Sequence, residues 1–104
     1  QSLVTEETIN AYTKPLEIQG WERAFWEFNK ASRPTGLEEA IPDITLPTLV
    51  ITGDNDTVVA TDDSIKLDSE LSNSKLVIIE NTGHLPNEEK PDEFSSLIND
   101  FLNN

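Results

Sequence analysis

Two short apolar runs, 48–52 and 76–79, constrain the fold of this chain more than any other feature of its sequence. Both are rich in β-branched residues and do not alternate with polar ones, a pattern typical of strands covered on both faces in a parallel sheet. The segment between them, 61–71, begins with acidic residues and with Thr61 or Asp62 as a cap, so it predicts a helix. Strand, helix and strand within about 30 residues form a βαβ unit. We therefore predict an α/β fold with two neighbouring parallel strands.

Apolar residues at positions i, i+3, i+4 and i+7 predict two further helices. One begins at Trp21 and ends before Pro34 and Gly36, and the other spans 91–102. The apolar positions are Trp21, Ala24, Phe25 and Phe28 in the first helix, and Phe94, Leu97, Ile98 and Phe101 in the second. We interpret the aromatic stripe of the first helix as core packing, with a role in lining a ligand site as the alternative.

The composition excludes several classes of protein. The 20 acidic residues outnumber the 7 basic ones, so the formal net charge is −13, and neither nucleic acid nor an anionic membrane is an expected partner. Leu, Ile, Val and Phe make up 29 of the 104 residues, above the roughly 20% below which a highly charged chain stays disordered. With no cysteine and one histidine, disulfides, thiolate catalysis and His-rich metal sites are excluded. An EF-hand loop starting at Asp54 is rejected because Val59 and Ile65 stand where glycine and glutamate are required.

No apolar run approaches the roughly 20 residues that span a bilayer, and no secretory signal is visible. We expect a cytoplasmic protein. The sequence starts with Gln1 and contains no Met, so we expect its true start to be missing or processed.

Two polar segments are expected at the sheet edge where parallel folds bind ligands, outside the carboxyl ends of the strands. Gly-Asp-Asn-Asp at 53–56 leaves the first strand, and Asn-Thr-Gly-His at 81–84 leaves the second. Neighbouring strands lie about 4.8 Å apart, so an Asp carboxylate of the first loop can reach the imidazole of His84. An Asp–His pair is the orienting part of a catalytic triad, in which the carboxylate fixes the tautomer and stabilises the imidazolium.

Several motifs follow one another between Leu46 and Leu102. The longest is Pro-Thr-Leu-Val-Ile-Thr-Gly-Asp-Asn-Asp-Thr-Val-Val at 47–59, and the others are Gly-His-Leu-Pro at 83–86, Glu89, Pro91, Phe94 and Phe101-Leu102. Together they resemble the C-terminal part of the α/β-hydrolase fold family. In that family the second Asp after the strand is the triad acid and the His after the next strand is the base. The resemblance therefore implies that Asp56 is the catalytic acid and His84 the catalytic base.

The resemblance also implies a domain organisation. Gly-Trp-Glu-Arg-Ala at 20–24 is similar to the helix that re-enters the core after the cap. Residues 20–104 are then the C-terminal part of the hydrolase core, in the order helix, strand, helix, strand, helix, within a partial doubly wound parallel sheet. Residues 1–19 form the end of a cap or a linker, as a short helix or loop. Residues 34–47, with three prolines, are interpreted as a connector.

The nucleophile elbow Gly-x-Ser-x-Gly is absent from the sequence. Because the family order is nucleophile, acid, base, the resemblance implies that nucleophile and oxyanion donors lie in a missing N-terminal part, which is the expected partner of this chain. The whole protein is expected to hydrolyse a small, largely apolar substrate such as an ester, without metal or cofactor. An Asp nucleophile, as in an epoxide or halide hydrolase, stays open. The chain alone is expected to be inactive.

Other interpretations of these residues compete with catalysis. Asp56 could close the strand as an Asx-turn residue, and Asp54 is interpreted as that turn residue rather than as the acid. Glu89 is expected to form local hydrogen bonds near the final helix. The alternative for the whole chain is a non-catalytic βαβ interaction module or a pseudoenzyme, whose open sheet edge would permit self-association.

Overall fold

The computed structural model of the chain describes residues 4–31 and 36–103. Two compact units divide after residue 35. The described part of the first unit is helical, and that of the second contains the sheet. This division follows packing alone, so the assignment of residues 1–19 to a cap or linker stays a prediction.

The first unit contains two helices, α1 (Glu6–Thr13) and α2 (Trp21–Ala31), separated by a turn of 3-10 helix at Lys14–Glu17. Thr5 caps α1, since its hydroxyl oxygen accepts a hydrogen bond from the amide of Thr8 at 3.1 Å. The helix predicted to begin at Trp21 is confirmed. Its predicted end falls on 32–35, outside the described residues.

The aromatic stripe of α2 is not buried. Phe25 is 64% exposed and Phe28 is 71% exposed, while Trp21 is half-buried. The interpretation of this stripe as core packing is therefore wrong for Phe25 and Phe28, which the neighbouring 3-10 turn leaves largely uncovered. An open hollow of about 520 Å³ runs along the stripe, lined by Pro15, Leu16, Ile18, Trp21, Ala24, Phe25 and Phe28.

The second unit contains the predicted βαβ arrangement. Strands β1 (Thr48–Gly53) and β2 (Ser74–Ile79) pair in parallel, and helix α3 (Thr61–Glu70) connects them. The register places Thr48 opposite Ser74 and Gly53 opposite Ile79. The prediction of two neighbouring parallel strands is thus confirmed, and both strands end at the same level.

The start of α3 differs from the prediction. Ala60 is the N-cap residue and provides no side-chain hydrogen bond, so the expectation that Thr61 or Asp62 caps the helix is wrong. The Thr61 hydroxyl instead donates to the carbonyl oxygen of Gly53 at 2.7 Å. This bond ties the first turn of α3 to the end of β1.

Three further elements complete the described part of the second unit. A 3-10 helix at Leu37–Asp43 lies within the predicted connector, and α4 (Pro86–Glu89) precedes α5 (Pro91–Leu102). The bounds of α5 match the prediction. The sequence pattern did not indicate the 3-10 helix or α4, because a helical period needs more than the four residues of α4 to become visible.

Burial in the second unit is concentrated between the middle of β1 and the carboxyl ends of the two strands. Val50 and Ile79 are the buried apolar residues among those described, at 8% and 1% exposure. Elsewhere the strands are only half-covered, and Ile78 is 41% exposed. The expectation of strands covered on both faces is therefore not met here. With two strands in the described part of the sheet, each strand has an open edge and few neighbours.

Candidate functional site

The two loops that leave the sheet bring a carboxylate and an imidazole together. Oδ2 of Asp56 lies 2.9 Å from Nδ1 of His84, within hydrogen-bond distance. The parallel register explains this contact, because Gly53 and Ile79 end their strands side by side and each loop starts from the same edge. The predicted approach of Asp56 and His84 is confirmed. Their catalytic roles stay a prediction.

The Asp56 carboxylate uses its two oxygens for different tasks. Oδ1 accepts hydrogen bonds from the amides of Val58 and Val59, each at 2.9 Å, while Oδ2 faces His84. The Asx-turn interpretation and the pairing with histidine therefore both hold for this residue. Only 8% of the Asp56 side chain is exposed, against 42% of the His84 side chain. The turn fixes the carboxylate, which in turn orients the more exposed ring.

The surroundings of Asp56 favour its ionised form. The hydrogen bond from His84 is the largest cause that holds the pKa of this carboxyl below its ordinary value of 3.8. The amides of Val59 and Val58 and the charge of His84 act in the same direction, while partial burial opposes them. Because an ionised carboxylate can only accept, the ring must donate its Nδ1–H, which leaves Nε2 of the neutral imidazole as an acceptor.

Asp54 joins the two loops and does not contact the imidazole. Its Oδ1 accepts a hydrogen bond from the amide of Thr82 at 3.1 Å and one from the side-chain amide of Asn55 at 2.7 Å. Amide donors of Asn81 and Thr82 are the main causes that lower the pKa of Asp54 from its ordinary value. The backbone adds a return bond, from the Asn55 amide to the Thr82 carbonyl at 2.9 Å. Asp54 is thus a turn residue, as predicted, and it also connects the acid loop to the histidine loop.

Glu89 contacts the histidine loop through both of its carboxylate oxygens. Oε2 accepts from the amide of Gly83 at 2.9 Å, and Oε1 accepts from the amide of Leu85 at 3.2 Å. The two donors flank His84 in the chain. The expectation of local hydrogen bonds is confirmed.

The loops approach each other most closely at Gly53. A Cβ atom built on this residue would lie 2.5 Å from the carbonyl oxygen of Gly83, and closer still to the carbonyl oxygen of Thr82. Because real Cβ atoms do not approach backbone this closely, only glycine leaves room for the histidine loop.

The chain matches the family model described as "alpha/beta hydrolase fold" over residues 4–91. The chain belongs to the alpha/beta hydrolase fold family. The resemblance noted from the motifs is thereby confirmed, and so is the partial α/β fold.

Three members of this family illustrate the similarity. The chain is 31% identical to an uncharacterized hydrolase of Bacillus subtilis (strain 168), YugF, over 98% of this chain and 37% of the relative. It is 32% identical to the monoacylglycerol lipase ABHD6 of Mus musculus, over 79% of this chain and 24% of the lipase. A solved structure of the meta-cleavage product hydrolase from Pseudomonas fluorescens IP01 (CumD) is similar with a TM-score of 0.81 and 25% identity, over 97% of this chain and 39% of the other. The chain spans less than half the length of each of these hydrolases.

Within residues 4–31 and 36–103, none of the helices combines the length and the apolar character needed to cross a lipid bilayer. The same residues contain no group of three or more His, Cys, Asp or Glu side chains arranged to hold a metal ion.

Sequence reasoning did not foresee two features of this hydrolase-fold site. One is α4, whose only signal is Pro86 at a first helical position followed by acidic residues. The other is the link from Asp54 to Thr82, since a carboxylate that accepts an amide bond 28 residues away leaves no local pattern.

Proposed function

We propose that this chain supplies the acid and the base of a hydrolase active site, with His84 as the base and Asp56 as the acid. The nucleophile and the oxyanion donors belong to a segment that precedes these 104 residues in the whole protein. The single observation that supports this proposal is the 2.9 Å contact between Asp56 and Nδ1 of His84 at the carboxyl edge of two parallel strands. Family membership supports the same reaction type.

In the proposed reaction, Nε2 of His84 takes the proton of the attacking group, a hydroxyl or a water molecule. The ring then carries a positive charge, which the adjacent carboxylate of Asp56 stabilises through the Nδ1–H bond. In the second half of the step, Nε2 returns the proton to the leaving group. Asp56 stays ionised throughout, in keeping with the lowered pKa of its carboxyl.

We propose a small, largely apolar, ester-like substrate. The monoacylglycerol lipase among the relatives supports this class of substrate. If the nucleophile of the whole protein is an aspartate, the reaction becomes hydrolysis of an epoxide or a halide with the same two residues in the same roles. By itself the chain has no elbow serine, so we propose that it is inactive alone.

Hydrolysis of a short-chain p-nitrophenyl ester tests the proposal. In the whole protein, His84→Ala should lower kcat by at least about a thousandfold and Asp56→Asn by a comparable factor. Asp62→Asn removes the same charge at an exposed position in the first turn of α3 and should leave kcat unchanged. Unchanged turnover in His84→Ala would refute the assigned base. Turnover by the 104-residue chain alone that His84→Ala abolishes would refute the assignment of the nucleophile to a preceding segment.

A non-catalytic interaction module or a pseudoenzyme is the second candidate. The observation that favours it is the open edge of both strands together with exposed apolar side chains, such as Ile78 at 41% and Phe28 at 71% exposure. Analytical ultracentrifugation separates these cases. The module is favoured if the chain sediments as a compact monomer and the whole protein has no hydrolase activity. The fragment is favoured if the chain self-associates or assembles with a preceding segment. A cytoplasmic location stays a prediction.

A further inference from the structure

We propose that Glu89 is a positioning residue for His84, whose carboxylate holds the backbone on both sides of the imidazole so that the ring meets Asp56. This inference rests on the proposed role of His84 as the base. Glu89 itself touches no reacting atom and acts through the histidine.

The geometry fixes His84 at three points. The amide before it, that of Gly83, donates to Oε2 of Glu89 at 2.9 Å, and the amide after it, that of Leu85, donates to Oε1 at 3.2 Å. The third point is the side chain, through the 2.9 Å contact with Asp56. Because the amides on both sides of His84 are bonded to one carboxylate, the backbone of His84 cannot turn freely, and the direction of its Cα–Cβ bond is fixed. The imidazole therefore keeps its orientation although 42% of its surface is exposed.

The carboxylate is presented by a turn that is anchored on the same loop. The amides of Glu88 and Glu89 both donate to the carbonyl oxygen of Leu85 at 2.9 Å. Leu85 thus accepts at its carbonyl from the backbone of Glu89 and donates at its amide to the side chain of Glu89. This reciprocal arrangement closes the single turn of α4 onto the histidine loop. The position of Glu89 relative to His84 is consequently supported by hydrogen bonds within a short segment of chain, residues 83–89.

The chemistry of the contact requires a carboxylate. Two amide donors need two acceptor oxygens, and charge-assisted bonds of this kind are stronger than neutral ones. A glutamine would offer one oxygen and one NH2 group, which would face an amide donor. An aspartate is shorter by one methylene group and could not reach both amides. Gly83 fits this contact from the other side, since a Cβ there would lie 3.0 Å from Oε1 and 3.5 Å from Oε2 of Glu89.

The single histidine of the chain makes the orientation directly measurable. In the 104-residue chain labelled with 15N-histidine, NMR of the neutral imidazole should show a protonated Nδ1 hydrogen-bonded to Asp56 and an unprotonated Nε2. We expect Glu89→Gln to abolish the Nδ1–H signal, because the ring loses its fixed direction. The matched control is Glu80→Gln, which removes the same charge at an exposed position of the same loop and should keep the signal. A Glu89→Gln variant that keeps the signal overturns the proposal.

A double-mutant cycle in the whole protein separates positioning from general stability. Glu89→Gln should lower kcat about tenfold or more with little change in KM, since misplacing a catalytic group by about 1 Å can cost a hundredfold. In the Asp56→Asn background the same change should have no further effect, because the orientation is already lost. Equal losses in both backgrounds would overturn the proposal. If Glu89→Gln does not fold, Gly83→Ala replaces it, because the added methyl group crowds the same carboxylate. A loss of kcat that disappears in the Asp56→Asn background supports the proposal, and equal losses in both backgrounds overturn it.

The two readouts also separate this inference from the proposed function. Loss of the Nδ1–H signal in Glu89→Gln, together with full activity in His84→Ala, would leave Glu89 as the residue that orients the ring while refuting the ring as the base. Retention of the signal with an inactive His84→Ala would refute the role of Glu89 and leave the base in place.

Discussion

Replacement of Gly53 by alanine should break the candidate site through a steric conflict with backbone. The added Cβ would lie 2.5 Å from the carbonyl oxygen of Gly83, which is 0.9 Å short of the 3.4 Å at which ordinary van der Waals contact begins. The carbonyl oxygen of Thr82 lies closer still. Neither group is the flexible end of a side chain, so the histidine loop as a whole must move away from β1.

The size of the effect follows from this displacement. If the histidine loop moves by about 0.9 Å along the line that joins Asp56 and His84, the 2.9 Å distance between these residues becomes longer than the roughly 3.5 Å limit of a hydrogen bond. Inserting a methyl group into a packed region costs about 1 to 3 kcal/mol, and the upper end applies where backbone must move. For a chain of this size, about 3 kcal/mol lowers Tm by about 10 °C or more.

The assay is thermal unfolding followed by circular dichroism, combined with the 15N-histidine spectrum. Gly36→Ala is the matched control, since a Cβ at Gly36 meets nothing within 4 Å and the cost comes only from its φ of +70°. That conformational cost is about 1 to 2 kcal/mol, and the Nδ1–H signal of His84 should survive it. The steric reasoning is refuted if Gly53→Ala unfolds no earlier than Gly36→Ala and retains that signal.

Three further changes test other contacts of the second unit. Thr61→Val removes the 2.7 Å bond to the Gly53 carbonyl and should cost about 1 kcal/mol in urea denaturation, with Thr61→Ser restoring most of it. The lowered pKa of Asp54 means that its carboxylate stabilises the fold above pH 3.8 and that this contribution is lost as the pH falls through the folded pKa. Asp54→Asn should therefore flatten the acid side of the stability profile, measured between about pH 5 and 2. His84→Ala removes the largest cause of the lowered pKa of Asp56, so a 13C NMR titration should find the pKa of this carboxyl raised relative to the unsubstituted chain.

The sheet and its helices could be predicted from sequence because each leaves a repeating pattern. The bounds of α5 follow from the spacing of Phe94, Ile98 and Phe101, and the parallel pairing follows from two continuous apolar runs around a helix. The same reasoning failed for the aromatic stripe of α2. Amphipathic spacing shows that a face is apolar, but it does not show which surface covers that face, and Phe28 is 71% exposed. Burial depends on neighbours that a periodic pattern cannot identify.

The contact between Asp56 and His84 was predictable for a different reason. Parallel strands end at one edge, so any polar residues that directly follow both strands are brought together whatever the rest of the fold contains. The links made by Asp54 and Glu89 were not predictable in the same way. Both use a side chain to accept backbone amides, and every residue except proline has such an amide, so the sequence does not show which one is chosen.

The contact between Asp56 and His84 therefore depends on the register of the two strands and on the residues that pack between them. Among the described residues, the buried side chains of Thr52, Ile79 and Thr82 lie at or just after the carboxyl ends of the two strands, from which the loops of Asp56 and His84 start, and that of Val50 lies at the middle of β1. A slip of one residue between the strands would move the loops apart by about 3.3 Å, which exceeds the tolerance of a 2.9 Å contact. Any substitution that loosens this small core should then disturb the histidine before it unfolds the chain. Most of the buried residues of the second unit thus lie near the strand ends, where the proposed chemistry requires the most exact register. Apolar side chains elsewhere in the described part of this unit are half-buried or exposed.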